Sequence, residues 1–185
     1  MIDDLIQDAT RRMDKSVEST QVEFNSVRTG RASAALLDRI QVDYYGQATP
    51  LKQLATINVP EPRMLTVQPF DPSSLKAIER SIQESELGLT PSNDGKLIRL
   101  PIPQLTEERR QELVKVVRQI AEDGKIAVRN VRRDADKHLK DLKTKGQVGE
   151  DDERRAEERV QKLTDDHTKK IDDLLTRKEA EITEV

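Results

Sequence analysis

The 185-residue sequence contains no cysteine and no tryptophan, and phenylalanine and tyrosine together make up 2% of it. The lack of cysteine removes disulfides, thiolate metal sites and cysteine nucleophiles at once, and suits a reducing compartment. No apolar run approaches the ~18 residues of a membrane span. The opening Met1-Ile2-Asp3-Asp4-Leu5 is acidic where a secretory signal would be basic and then apolar. A cytoplasmic protein is therefore expected. Apolar residues reach only 34% and charged residues 36%, against about 45–50% and 25% in ordinary globular domains. So small a supply of apolar and aromatic filling argues against a large spherical core. Net charge is only −3 and the apolar residues recur with a clear period, which argues equally against disorder. What remains is long, solvent-bathed helices held by a thin apolar seam.

Proline is missing from most of the chain as well: all eight lie between Pro50 and Pro103. Each would cost a helix interior about 3 kcal/mol, so the middle cannot be continuous helix while the flanks can. The first flank carries Ile2, Ile6, Ala9, Met13, Val17, Thr20, Phe24 and Val27 at helical steps, and is expected to end at Thr29-Gly30, with Gly30 as a left-handed cap. A second helix is expected from Thr106, with Glu107 and Glu108 favouring its N-terminus. Its seam reads Leu113, Val117, Ile120, Gly124, Val128, Val131, Ala135, Leu139 and Leu142, and it should stop near Gly146 and Gly149. The third opens at Glu150 and continues through Ala156, Val160, Leu163, His167, Ile171, Leu174, Lys178 and Ile182. Three such helices can share one seam as an elongated bundle.

The middle reads as a separate α+β domain. Strand candidates are residues 40–45, 55–59, 64–67 and 97–100, and Asp71-Pro72 opens a short helix using Leu75, Ile78 and Ile82 and closing near Gly88. The division is thus 1–29 with 106–185 as a three-helix bundle, and 30–105 as the inserted domain. Two short connections, Thr29-Gly30-Arg31 and Pro103-Gln104-Leu105, join them, compatible with either a hinge or a rigid corner.

The near-neutral total charge conceals a contrast. Residues 106–149 carry a net +4 and residues 150–185 a net −5. The densest basic feature is Lys125-Ile126-Ala127-Val128-Arg129-Asn130-Val131-Arg132-Arg133. With Val131 inward at 0°, Lys125, Arg129 and Arg132 project at roughly 100–160° and Arg133 near about 200°, with Arg118 on the same outer side. Guanidinium forks on a rigid helix suit phosphate. A charge run alone is more often a solvated face, here one that could pair with the acidic third helix. No aromatic residue interleaves, so the backbone of structured RNA fits better than stacked single-stranded bases.

Other candidates carry less. Glu150 to Glu153 complements a helix N-terminus. His138 and His167 lack partners at metal spacing, and His167 lies on the seam as a packed or hydrogen-bonded residue. The seven glycines are scattered and form no phosphate loop. Ser73-Ser74 has no base to activate it. Enzymes are the least supported class.

Four segments together resemble the motifs of bacterial ribosome recycling factors, in that family's order. They are Val27-Arg28-Thr29-Gly30-Arg31-Ala32-Ser33, Val42-Asp43-Tyr44-Tyr45-Gly46, Leu105-Thr106-Glu107-Glu108-Arg109-Arg110 and Ala127-Val128-Arg129-Asn130-Val131-Arg132-Arg133-Asp134-Ala135. The resemblance implies an α+β fold: a three-helix bundle with a smaller β/α/β domain in an L shape. It implies binding to the post-termination ribosome and, with elongation factor G and GTP hydrolysis by that factor, separation of the subunits. In that family the bundle binds large-subunit ribosomal RNA. Arg129 and Arg132 occupy matching positions, and Lys125, Arg118 and Arg133 on the same face join them as candidate contacts. Arg28, Arg31 and Arg110 fall near the domain junction. No metal, cofactor, small-molecule substrate or membrane is expected, and the chain is expected to act as a monomer. No contact is assigned to the loop Lys145–Gly149. The competing class is a helical scaffold for partner helices, which would want an exposed apolar groove where RNA wants exposed arginine.

Overall fold

The proline-free flanks form long helices and the proline-bearing middle forms short elements. A computed structural model describes residues 1–183. In chain order its elements are α1 (Ile2–Ser26), β1 (Gln41–Tyr44), β2 (Gln47–Pro50), α2 (Leu51–Leu54), β3 (Ala55–Glu61), β4 (Met64–Pro69), α3 (Leu75–Gln83), β5 (Ser92–Asn93), β6 (Ile98–Pro101), α4 (Glu107–Thr144) and α5 (Glu150–Thr183). The backbone divides into two compact units: Met1–Thr29 with the two long C-terminal helices, and Gly30–Thr106.

In the first unit α1, α4 and α5 pack pairwise along their lengths. α1 buries Ile6, Ala9, Met13, Thr20 and Phe24, and α4 buries Leu113, Val117, Ala121, Gly124, Val128, Val131, Ala135 and Leu139. Ala121 replaces Ile120 as a fully buried position, and on α5 Thr164 replaces Leu163. A helix with two neighbours buries a stripe wider than one row of side chains, so flanking residues enter it. At Gly124 the neighbouring helices pack closely: a Cβ there would collide with Thr20 Oγ1 and lie 3.2 Å from Ile171 Cδ1. His167, 3% exposed, faces Asp14 Oδ1 through Nε2 and Leu163 O through Nδ1, both at 2.6 Å.

The two glycines expected to cap helices differ. Gly146 adopts φ +72°, its N–H bonding Lys143 O at 2.9 Å while Gln147 N–H bonds Leu142 O at 2.9 Å. Those two bonds end α4 as a Schellman motif. Gly30 is not the cap of α1. That helix stops at Ser26, and Val27 is extended at φ −84°, ψ 120° with its N–H on Phe24 O. The β-branched Val27 and Thr29 favour the extended exit over another turn. Gly30 still has φ +79°, and a second constraint favours glycine there: a Cβ would lie 2.9 Å from Leu105 Cγ.

The second unit holds a β1–β2 hairpin and a four-stranded antiparallel sheet ordered β3-β4-β6-β5. Its core includes Leu37, Val42, Leu51, Leu65, Val67, Ile78, Ile82, Ile98 and Leu100. Asp71 Oδ1 accepts Ser73 N–H at 3.0 Å, and Pro72 opens a 3₁₀ turn, Pro72–Ser74, that runs into α3. α3 ends at Gln83, well before Gly88, with Glu84 N–H bonding Arg80 O and Ser85 N–H bonding Ile82 O. The sheet also holds β5, absent from the strand candidates. Tyr45 turns the hairpin at φ 50° with Gly46 at φ 82°, the pair of positive angles that suits a tight hairpin.

Candidate nucleic-acid interface

The basic face is built on α4, where inward Val128, Val131 and Ala135 fix the rotation of the helix. That register leaves Arg129 40%, Arg132 30% and Lys125 20% exposed in their side chains. The five expected cations then separate by partner. Lys125 Nζ donates to Asp172 Oδ1 on α5 at 2.9 Å, and Arg118 Nε to Glu179 Oε1 on α5 at 2.7 Å. These two behave as a solvated face paired with the acidic third helix of the bundle.

The other three do not pair with α5 carboxylates among the described residues. Arg129 Nη1 donates to Glu122 Oε1 at 3.3 Å, on its own helix. Arg133 Nη1 reaches Asn130 Oδ1 at 3.4 Å. Arg132 reaches the neutral Gln161 Oε1 at 3.5 Å and has Asp136 Oδ2 at 3.9 Å from its Nε. Burial pushes the Asp136 carboxyl up, opposed by Arg132 and Lys140. Burial also raises Glu157, helped by the Glu153 and Asp136 carboxylates. Three guanidinium groups thus remain on one face, held only by long contacts and able to exchange them for an incoming anion.

Glu122 and Asp136 are what reading the basic run alone misses. They stand within the arginine face at i−7 from Arg129 and i+4 from Arg132, spacings that return to the same side of a helix and were legible as such. The residues expected at the junction are placed as follows. Thr29 is buried, Arg28 and Gln104 are exposed, and Gly30 meets Leu105 as described. Pro103 is also exposed, and Arg31 begins the second unit beside Gly30. Arg110, only 17% exposed, has Glu107 at 3.9 Å, and its buried Nε has no hydrogen-bond partner. Two exposed aromatics of the second unit carried no functional signal in the sequence: Tyr45, at the hairpin turn, at 80% and Phe70, just past β4, at 66%. No group of three metal-ligating side chains occurs among the described residues, and no helix is long and apolar enough to cross a membrane.

Comparison with known proteins supplies what geometry leaves open. The family model for "Ribosome recycling factor" matches residues 20–183. The ribosome-recycling factor of Rubrobacter xylanophilus is 56% identical over 180 residues, covering 97% of each chain. That of Geobacillus kaustophilus is 54% identical over 185 residues, covering 100% of both. A solution structure of the ribosome recycling factor superposes with a TM-score of 0.75 at 43% identity, over 100% of this chain and 98% of that one. A second solved structure gives a TM-score of 0.66 at 46% identity over 98% of both chains. It is described as models for the T. thermophilus ribosome recycling factor and the E. coli elongation factor G bound to the E. coli post-termination complex. With a family model spanning nearly the whole chain, and relatives more than half identical from end to end, the chain belongs to the ribosome recycling factor family.

Proposed function

We propose that this chain binds the post-termination ribosome and, with elongation factor G and the GTP hydrolysis of that factor, splits it into subunits in the cytoplasm, acting as a single copy. The observation that carries the reading is the full-length likeness to a structure described together with elongation factor G on the post-termination complex. The chain's own contribution is docking. Arg129, Arg132 and Arg133 meet phosphates of large-subunit ribosomal RNA, while Lys125 and Arg118 brace α4 against α5 and add long-range attraction. Residues 1–29 and 107–183 form the docking body and 30–106 a second body, linked through Thr29-Gly30-Arg31 and Pro103-Gln104-Leu105.

The test is one variant measured twice. Arg132→Ala should shift stability by less than ~0.5 kcal/mol, since the partly exposed Arg132 is held only by contacts of 3.5 and 3.9 Å. Its affinity for ribosomes should fall by ~1–3 kcal/mol, with a shallower dependence on salt. Arg132→Lys should restore part of the affinity, because a point charge keeps the attraction and loses the fork. A lower melting temperature with wild-type ribosome affinity would overturn the docking assignment.

A further inference from the structure

The arginine face is not purely basic. Along the outer side of α4 the charges read Arg118, Glu122, Lys125, Arg129, Arg132, Arg133, Asp136, Lys140. Glu122 bridges two cations, its Oε1 3.3 Å from Arg129 Nη1 and its Oε2 3.8 Å from Lys125 Nζ. Asp136 stands 3.9 Å from Arg132 Nε. Each carboxylate presents to a guanidinium the kind of anionic oxygen that a phosphate presents. A helix selected only for RNA affinity would carry neither.

We propose that Glu122 and Asp136 set the specificity of the arginine face: they occupy Arg129 and Arg132 in the free protein and repel RNA whose phosphates do not replace them well. The inference rests on the docking reading above and names the residues that make it selective. Glu122 projects at roughly 180° from the seam, the most outward direction on α4, so RNA laid along the helix meets its charge. An arbitrary duplex offers evenly spaced phosphates, some of which must then sit against a carboxylate. A matched surface places its phosphates between the two carboxylates, on Arg129, Arg132 and Arg133, and leaves the flanks clear. Discrimination of this sort comes from an unfavourable element directed at wrong partners as much as from contacts to the right one. Lys125, held by Asp172 on α5, keeps Glu122 from moving freely and so fixes the repelling charge in place.

The test compares wild type, Glu122→Gln and Asp136→Asn on two probes, purified 70S ribosomes and an RNA duplex of about twenty base pairs and arbitrary sequence. Glu122→Gln should bind the duplex about three- to tenfold more tightly and gain less on ribosomes, with a steeper salt slope on the duplex. Asp136→Asn should move the same way by a smaller factor, its carboxylate being more sheltered. An unchanged duplex-to-ribosome ratio, or weaker binding to both probes with a lower melting temperature, would overturn the proposal and leave the carboxylates as structural braces. Arg129→Ala run alongside separates this from failure of the docking reading. If that variant binds ribosomes like wild type, the face itself is misassigned; if it weakens while Glu122→Gln changes no ratio, only the specificity role falls.

Discussion

The two units hold themselves together differently. In the Gly30–Thr106 unit thirteen buried apolar side chains form one continuous cluster between strands and α3. In the bundle the buried residues are strung along helices of up to 38 residues, which at 1.5 Å per residue is roughly 57 Å. Buried Thr20, Thr164 and His167 interrupt that apolar series. A cluster shares every side chain among several neighbours, whereas a seam shares each with only its own layer. Damage should therefore spread through the first and stay local in the second. The difference also bears on function, because a long thin bundle exposes a whole helix face of fixed register, and a cluster does not.

The largest effect is expected from Ile78→Ala, a fully buried α3 residue of the cluster. Truncations of this kind cost ~2–5 kcal/mol, a large part of the stability of so small a unit. Denaturation followed by hydrogen exchange should show protection lost across β3, β4 and β6 together, with α4 and α5 retaining theirs. A fragment of residues 31–104 should fold alone by the same reasoning. If exchange rises equally in the bundle, the two units are not energetically separate.

Next comes the layer of the seam around Gly124. Gly124→Ala places a methyl group against Thr20 Oγ1 and near Ile171 Cδ1. Ala would otherwise favour the helix by up to ~1 kcal/mol, so the steric cost must exceed that to register. A net loss of about 1–3 kcal/mol is expected, in line with overpacking elsewhere. Thr20→Ala in the same chain should recover part of it, and a double-mutant cycle reads the coupling. Additive effects would mean that the helices separate at this layer without resistance.

Gly30 and Gly46 sharpen the comparison at the level of single backbone positions, since both have positive φ. A Cβ at Gly46 meets nothing within 4 Å, while one at Gly30 meets Leu105. Gly46→Ala should cost only the ~1 kcal/mol of the left-handed conformation. Gly30→Ala should cost more, and Leu105→Ala should reduce the excess. Equal losses in thermal denaturation would show that the Leu105 contact yields freely.

How much of this was legible depended on periodicity. The long helices were readable because proline is absent and apolar residues recur over many turns, so one misread position changes nothing. The end of α1 was not, because a glycine with positive φ serves a loop as well as a helix cap, and Gly30 lies beyond the extended Val27. Residues 92–93 and 47–50 were not legible because Ser92-Asn93 and Gln47-Ala48-Thr49-Pro50 contain no large apolar side chain to alternate with polar ones. The arginine face was legible as charge and register. Which arginines are taken up by α5 was not, since Lys125 with Asp172 and Arg118 with Glu179 lie 47 and 61 residues apart in the chain and depend on how the two helices are aligned. The place of His167 on the seam was legible as a packed position, but its Asp14 partner 153 residues away was beyond any local pattern.

The smallest expected effect is on pH dependence, and its sign differs between the units. In the Gly30–Thr106 unit Asp71 is held below the usual aspartate range, first by hydrogen bonds from Ser73 and then by the Tyr44 hydroxyl. Asp94 is held low by the N–H groups of Lys96 and Leu97, with Arg99 assisting. A carboxyl depressed in the folded state contributes stability above its unfolded value of about 4, and loses it as pH falls through the depressed value. In the bundle Asp136 and Glu157 are raised, chiefly by burial. Their folded state takes up protons more readily than the unfolded one, so their contribution is favourable at acid pH and is lost as pH rises through the raised values. Asp134, lowered by Arg12, opposes them, but only in the more acidic window. Between neutral pH and about 4.5 the bundle transition should therefore rise slightly while that of the other unit stays level; below about 4 the latter should fall first. Calorimetry at three pH values reads both transitions, and Asp136→Asn with Glu157→Gln should abolish the gain in the bundle. A gain that survives both substitutions would place its source in other carboxylates and remove this contrast between the units.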